Sequence, residues 1–132
     1  MSDQIAILLI EDDKRCASIL TAMLKRCVAP GVVVQVVDSA PGAIELIRGR
    51  EFDYEFVISD YDLTVGTGAD VLEFIRQERP KMLPRFLFVS GNVTVDFDKL
   101  HRHHLDKPLS LSMLHSKILE METEEIAQLP KS

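Results

Sequence analysis

Two periods of apolar spacing alternate along this chain. Short aliphatic runs, Ala6 to Ile10, Val32 to Val37, Phe56 to Ser59 and Phe86 to Val89, are separated by stretches whose apolar residues recur every three or four positions. Runs apolar at nearly every position suit strands buried on both faces of a parallel sheet, and the intervening spacing is that of amphipathic helices. The first helix is expected to turn Cys16, Ile19, Leu20, Met23, Leu24 and Cys27 inward and to end at Pro30-Gly31. A second starts near Pro41, buries Ala43, Ile44 and Ile47, and closes at Gly49. A third runs from about Gly68 through Val71, Leu72, Phe74 and Ile75 until Pro80 stops it. Asn92 to His104 is polar with weak periodicity and leads into the short Leu105-Asp106-Lys107-Pro108. The last helix has Ser110 or Ser112 as N-cap and is expected to bury Leu111, Leu114, Ile118 and Leu119. Residues 121–132 extend that helix or form a frayed tail.

Five strand candidates alternating with helices predict one doubly wound α/β domain over residues 1–120. The chain is 132 residues long, enough to bury a core without staples, and its apolar runs of five or six residues are far too short to span a membrane. The start MSDQIAILLI lacks the basic region and cleavage site of a signal peptide, so a cytoplasmic location is expected. A net charge of −6 argues against direct nucleic-acid binding. Cys16 and Cys27 lie eleven positions apart on one helix, roughly 16 Å by helical rise, and cannot bridge each other. They are expected to be small core or half-buried residues.

In doubly wound sheets, functional groups collect where strands end. Here those ends carry Glu11-Asp12-Asp13, Asp60, Ser90 and Lys107. Several carboxylates converging on one crevice repel each other unless a cation sits among them, and hard oxygen donors with open positions suit Mg2+. With that charge screened, Asp60 is able to attack a phosphoryl group while Ser90 and Lys107 hold its oxygens. His101, His103 and His104 suggest a metal site, yet no cysteine or carboxylate arrangement completes one, so a solvated turn is expected.

At this point the residues resemble a known family, the receiver domain of two-component response regulators. LLIEDD is similar to its acidic first strand end, ISDYDL to its phospho-acceptor strand, FVSG to its hydroxyl-bearing fourth strand and LDKP to its lysine-proline; Gly68 stands eight positions beyond the acceptor. The resemblance implies the flavodoxin-like strand order 2-1-3-4-5. It makes Asp60 the acceptor and Asp12 a direct Mg2+ ligand, with Glu11 acting through water and Asp62 through its backbone carbonyl. Ser90 and Lys107 would bind the phosphoryl group, the Lys107–Pro108 bond would be cis, and Asp13 would begin the helix. The implied partners are a histidine kinase or histidine phosphotransfer protein and an output protein the sequence does not name.

Three departures stand out. Leu63-Thr64 replaces the family's methionine-proline, and His104 occupies the position of the switch aromatic. The interval from Ser90 to Lys107 is shorter than usual, so the fourth helix is expected to be truncated or replaced by loop, as in some receivers attached to hybrid histidine kinases. Asp62 and Asn92, each two positions beyond a site residue, are expected to tune the lifetime of an aspartyl phosphate. Asp60-Tyr61-Asp62-Leu63-Thr64 also fits the Asp-x-Asp-x-Thr motif of haloacid-dehalogenase-type phosphatases, in which Asp62 is the general acid and base. That family carries the motif on its first strand and its metal-binding acids after the lysine, and here the order is reversed. A third reading is a receiver-like module that works by protein contacts without phosphorylation.

Overall fold

The computed structural model describes residues 5–49 and 54–127. Strands β1 (Ala6–Ile10), β2 (Val33–Val37), β3 (Phe56–Ser59), β4 (Phe86–Ser90) and β5 (His104–Asp106) form one parallel sheet in the order β2-β1-β3-β4-β5. This is the expected doubly wound, flavodoxin-like topology. Helices α1 (Lys14–Cys27), α2 (Ala40–Arg48), α3 (Gly68–Glu78), α4 (Phe97–Leu100) and α5 (Leu111–Ala127) connect and cover the strands. Among the described residues no helix is long and apolar enough to cross a membrane.

Two apolar cores flank the sheet. Ile7, Leu9, Phe56, Ile58, Leu87 and Val89 pack under α1 and α5; Leu8, Ile10, Val57, Phe86 and Phe88 pack under α2 and α3. β1, β3 and β4 are buried on both faces, which is why their residues are apolar at nearly every position. β2 is an edge strand and leaves Val33 and Val36 44% and 47% exposed.

The helix starts follow their capping chemistry. Asp13 accepts a hydrogen bond from the Cys16 N–H at 2.9 Å, so the third acid of the first strand end is the N-cap of α1. Ser39 caps α2, and Thr67 with Asp70 forms a reciprocal capping box on α3. Ser110, rather than Ser112, caps α5 by accepting from the Met113 N–H at 3.2 Å. α4 is a single turn, as the short interval before Lys107 leads one to expect, and a 3₁₀ turn at Pro80–Arg85 that the sequence did not signal precedes β4.

Three burial expectations need correction. Ile19 is 55% exposed, because the sheet side of α1 is filled by Ala17, Leu20 and Leu24. Leu111 and Leu119 are 37% and 49% exposed, since α5 turns Leu114, Ile118 and Met121 to the sheet instead. The histidine segment is no solvated turn. His103 is buried, because its backbone pairs with β4 through the Phe88 N–H at 3.1 Å and its side chain falls beneath α5, against Glu124.

Candidate functional site

The sheet delivers its chemistry at one edge. β1 and β3 are neighbours in register, Ile10 opposite Ser59, so the residues that follow them emerge side by side. The Asp60 N–H still donates to the Ile10 carbonyl at 3.0 Å and the Glu11 N–H to Val37 at 2.9 Å, which continues both ladders past the strand ends. Carboxylate oxygens of Glu11, Asp12 and Asp60 all lie within 4.8 Å of one another, the cluster of possible metal ligands found among the described residues. Lys107 enters from the far side. Its Nζ donates to Glu11 Oε1 at 2.7 Å and to Asp60 Oδ2 at 3.2 Å.

Burial makes that contact matter. The Glu11 side chain is 1% exposed and that of Asp60 13%, so neither charge is well solvated. Desolvation pushes the Asp60 carboxyl above the usual range; Lys107 pulls it down, Glu11 pushes it up again, and the net is upward. Burial alone would lower Lys107, but the hydrogen bond to Glu11 and the charge of Asp60 outweigh it and hold the ammonium firmly protonated. Cys16, half-buried and unpaired, lies against both Lys107 and Glu11; burial and the hydrogen bond to Glu11 raise its thiol.

Gly68 explains how α3 approaches. A Cβ at this position would lie 2.4 Å from the Asp60 carbonyl and 2.7 Å from the Phe88 ring, so only glycine lets the helix start directly behind the end of β3. Its N–H donates to the Tyr61 carbonyl at 2.7 Å. Lys107–Pro108 is cis, as the resemblance implied.

Ser90 ends β4 with 2% exposure, beside Lys107, whose N–H donates to the Ser90 carbonyl at 3.0 Å. Asn92 links two loops. Its Oδ1 accepts from the Thr94 N–H at 2.8 Å, which leaves Nδ2 to donate to Asp62 Oδ2 at 3.0 Å. His104 stacks on Phe97 at 5.7 Å, and its Nε2 lies 2.9 Å from Asp98 Oδ1. The sequence reading missed one site contact altogether: Thr64 Oγ1 donates to Asp12 Oδ2 at 2.6 Å and, together with the Thr64 N–H, holds the Asp12 carboxyl below its usual range. No local pattern signals a hydrogen bond that spans 52 residues.

A family model described as the response regulator receiver domain matches residues 7–119. The chain belongs to this family. Two relatives from Arabidopsis thaliana, the two-component response regulators ARR10 and ARR12, are 33% and 32% identical over 72 residues, 54% of this chain and 12% of each relative. The receiver therefore matches only a small part of those proteins. A response regulator receiver protein from Sinorhizobium medicae superposes with a TM-score of 0.79 at 20% identity, covering 93% of this chain and 98% of that one. The receiver domain of the sensor histidine kinase PA1611 from Pseudomonas aeruginosa, solved with magnesium in its active-site cleft, gives 0.71 at 22% identity over 89% and 95%. At these identities the structural matches speak for the shared fold, and the magnesium belongs to that protein.

Proposed function

We propose that this receiver is a phosphoryl-accepting switch whose acceptor is Asp60. The observation that carries the reading is the convergence of Glu11, Asp12 and Asp60 within 4.8 Å, with the Lys107 ammonium bridging two of them. The donor set is all carboxylate, partly buried and open on one side, which fits a hard divalent cation. Asp12 and Asp60 would hold Mg2+ directly, with Glu11 through water and the Asp62 backbone carbonyl completing the protein's share. When bound, Mg2+ supplies positive charge to the phosphoryl oxygens and relieves repulsion among the three carboxylates.

An Asp60 carboxylate oxygen attacks the phosphorus of a phosphohistidine on a histidine kinase or phosphotransfer protein. The O–P bond forms, the N–P bond breaks, and the leaving imidazole keeps the electron pair and takes up a proton. Lys107 meets the charge on the transferring group, and the Ser90 hydroxyl donates to a phosphoryl oxygen. The product carries about −1.5 to −2 charge where a buried carboxylate carried one, enough to reorganise loops and alter contacts with an output protein. Domain extent over residues 1–120, a cytoplasmic setting and slow self-catalysed hydrolysis of the acyl phosphate belong to the same reading. The order of the motifs weighs against the phosphatase alternative, because the acids Glu11 and Asp12 precede Asp60 instead of following Lys107.

Intact-mass spectrometry after incubation with a small phosphodonor tests this. One Mg2+-dependent phosphoryl adduct in wild type and none in Asp60→Asn is the expected result. Steady phosphate release without an adduct would favour the phosphatase. Neither adduct nor turnover, with a cognate kinase also tried, would leave the phosphorylation-independent module.

A further inference from the structure

Glu11 is buried while Asp12 and Asp60 are partly exposed, and like charges on Glu11 and Asp60 favour turning the Asp12 carboxylate outward. A side chain repelled in this way needs a donor to keep an oxygen facing the cluster. Thr64 is that donor: its hydroxyl reaches Asp12 Oδ2 at 2.6 Å. A carboxylate oxygen has more than one lone pair, so a hydrogen bond to Oδ2 fixes the Asp12 side chain without exhausting its capacity to bind a cation.

The position of the donor is itself fixed. Thr64 sits in a loop pinned on one side by the Ala40 N–H, which donates to the Val65 carbonyl at 3.0 Å, and on the other by the bridge between Asp62 and Thr67. Gly66, at φ 78°, packs so closely on Ala40 that a Cβ would lie 2.6 Å from its methyl. Thr64 is exposed and contributes little to the core, so its hydroxyl is not there for packing. Proline at this position would offer neither the hydroxyl nor the N–H.

We infer that Thr64 is a positioning residue for the divalent cation: it orients Asp12 before the cation arrives and thereby sets the affinity for Mg2+, without touching the transferring phosphoryl group. The inference rests on the reading of Glu11, Asp12 and Asp60 as the cation site. Groups that orient metal ligands change affinity by roughly 10- to 100-fold when removed, and an exposed hydroxyl belongs at the lower end.

The test is calorimetric titration of Mg2+ into wild type, Thr64→Val, Thr64→Ser and Asp12→Asn. Thr64→Val keeps the N–H and shape and is expected to bind about tenfold more weakly, Thr64→Ser to stay within about twofold of wild type, and Asp12→Asn to bind far more weakly than any of them. In the phosphodonor reaction, Thr64→Val should need about tenfold more Mg2+ and reach the wild-type rate once saturated. Wild-type affinity in Thr64→Val would overturn the role of Thr64 and leave the cation site standing. A rate deficit that persists at saturating Mg2+, or failure of serine to rescue, would overturn it as well. If wild type binds no Mg2+, or Asp12→Asn binds as wild type does, the cation-site reading itself fails and the inference falls with it.

Discussion

Gly68 ties the stability of the domain to the placement of Asp60, and alanine there measures the link. The added Cβ would meet the Asp60 carbonyl at 2.4 Å, Phe88 Cε1 at 2.7 Å and Ser59 Oγ at 3.0 Å. Ordinary contact distances are near 3.5 Å, so α3 or the end of β3 must retreat by about 1 Å. Neither yields easily. The carbonyl is backbone at the end of a central strand and already accepts from Ser59 Oγ at 2.7 Å, and Phe88 is fully buried. Overpacking of this kind costs about 1 to 3 kcal/mol, while alanine regains at most about 1 kcal/mol of helix propensity. The net expectation is a loss of about 2 kcal/mol, roughly 6 to 8 °C in melting temperature for a domain this size. Gly31→Ala is the control: nothing lies within 4 Å of its Cβ, so it should be neutral or stabilising by up to about 1 kcal/mol. Thermal and denaturant unfolding of both variants, without phosphodonor, read the difference directly. Equal melting temperatures would refute the claim that close approach of α3 to Asp60 dictates glycine at this position.

Lys107→Ala leaves Glu11 and Asp60 facing each other without a cation. The metal-free protein should melt several degrees lower, recover much of that loss on adding Mg2+, and form the phosphoryl adduct at least about 100-fold more slowly at saturating Mg2+. Asn92→Ala releases the Asp62 carboxylate to orient an attacking water, and loss of the aspartyl phosphate, followed by mass spectrometry, should quicken about threefold, under 1 kcal/mol in barrier; an unchanged decay would count against a tuning role for the pair. His103, whose Nε2 lies 2.7 Å from Glu124 Oε2, is pushed down from 6.5 to about 4, first by burial and then by His101, Lys117 and Arg102, against the opposing pull of Glu120. The unfolded chain takes up this proton first, so stability should fall as pH drops from 6.5 through about 4, and His103→Gln should show a shallower loss in denaturant titrations across that window.

Most of the fold was legible because its strands are buried on both faces and its helices keep a regular period. Where the sequence reading failed, the missing information was tertiary. In α5, Leu111, Leu114, Ile118 and Leu119 make as good an apolar stripe as Leu114, Ile118 and Met121, and only the angle at which the helix meets the sheet selects the second set. The histidines looked solvated because they are polar. Yet His103 and Leu105 share the two-residue period of a strand, a signal that places His103 inward once β5 is recognised as an edge partner of β4. Among the site residues, Glu11, Asp12, Asp60, Ser90 and Lys107 were legible because each follows or ends an apolar run. Thr64 was not, since what matters about it is a hydrogen bond to a residue in another loop.

The links around Asp60 also constrain how a change there would spread. Lys107 joins the β5–α5 loop to Glu11 and Asp60, Thr64 joins the β3–α3 loop to Asp12, and Asn92 joins the β4–α4 loop to Asp62. On the proposed reading, a phosphoryl group on Asp60 competes with Glu11 for the Lys107 ammonium and turns the Ser90 O–H toward itself, while the Ser90 oxygen accepts from the Asn92 N–H at 3.1 Å and so carries any movement of Ser90 to that loop. The link through Ser90 leads along a short path. Asn92 holds Thr94, and two residues later Asp96 caps the single turn of α4, whose Phe97 stacks on His104 and packs edge-on to Tyr61 at 5.7 Å. A helix of one turn has few hydrogen bonds of its own to resist such a shift. The β4–α4 loop and that turn are therefore the elements expected to respond first when Asp60 gains charge, with His104 following through its contacts to Phe97 and Asp98.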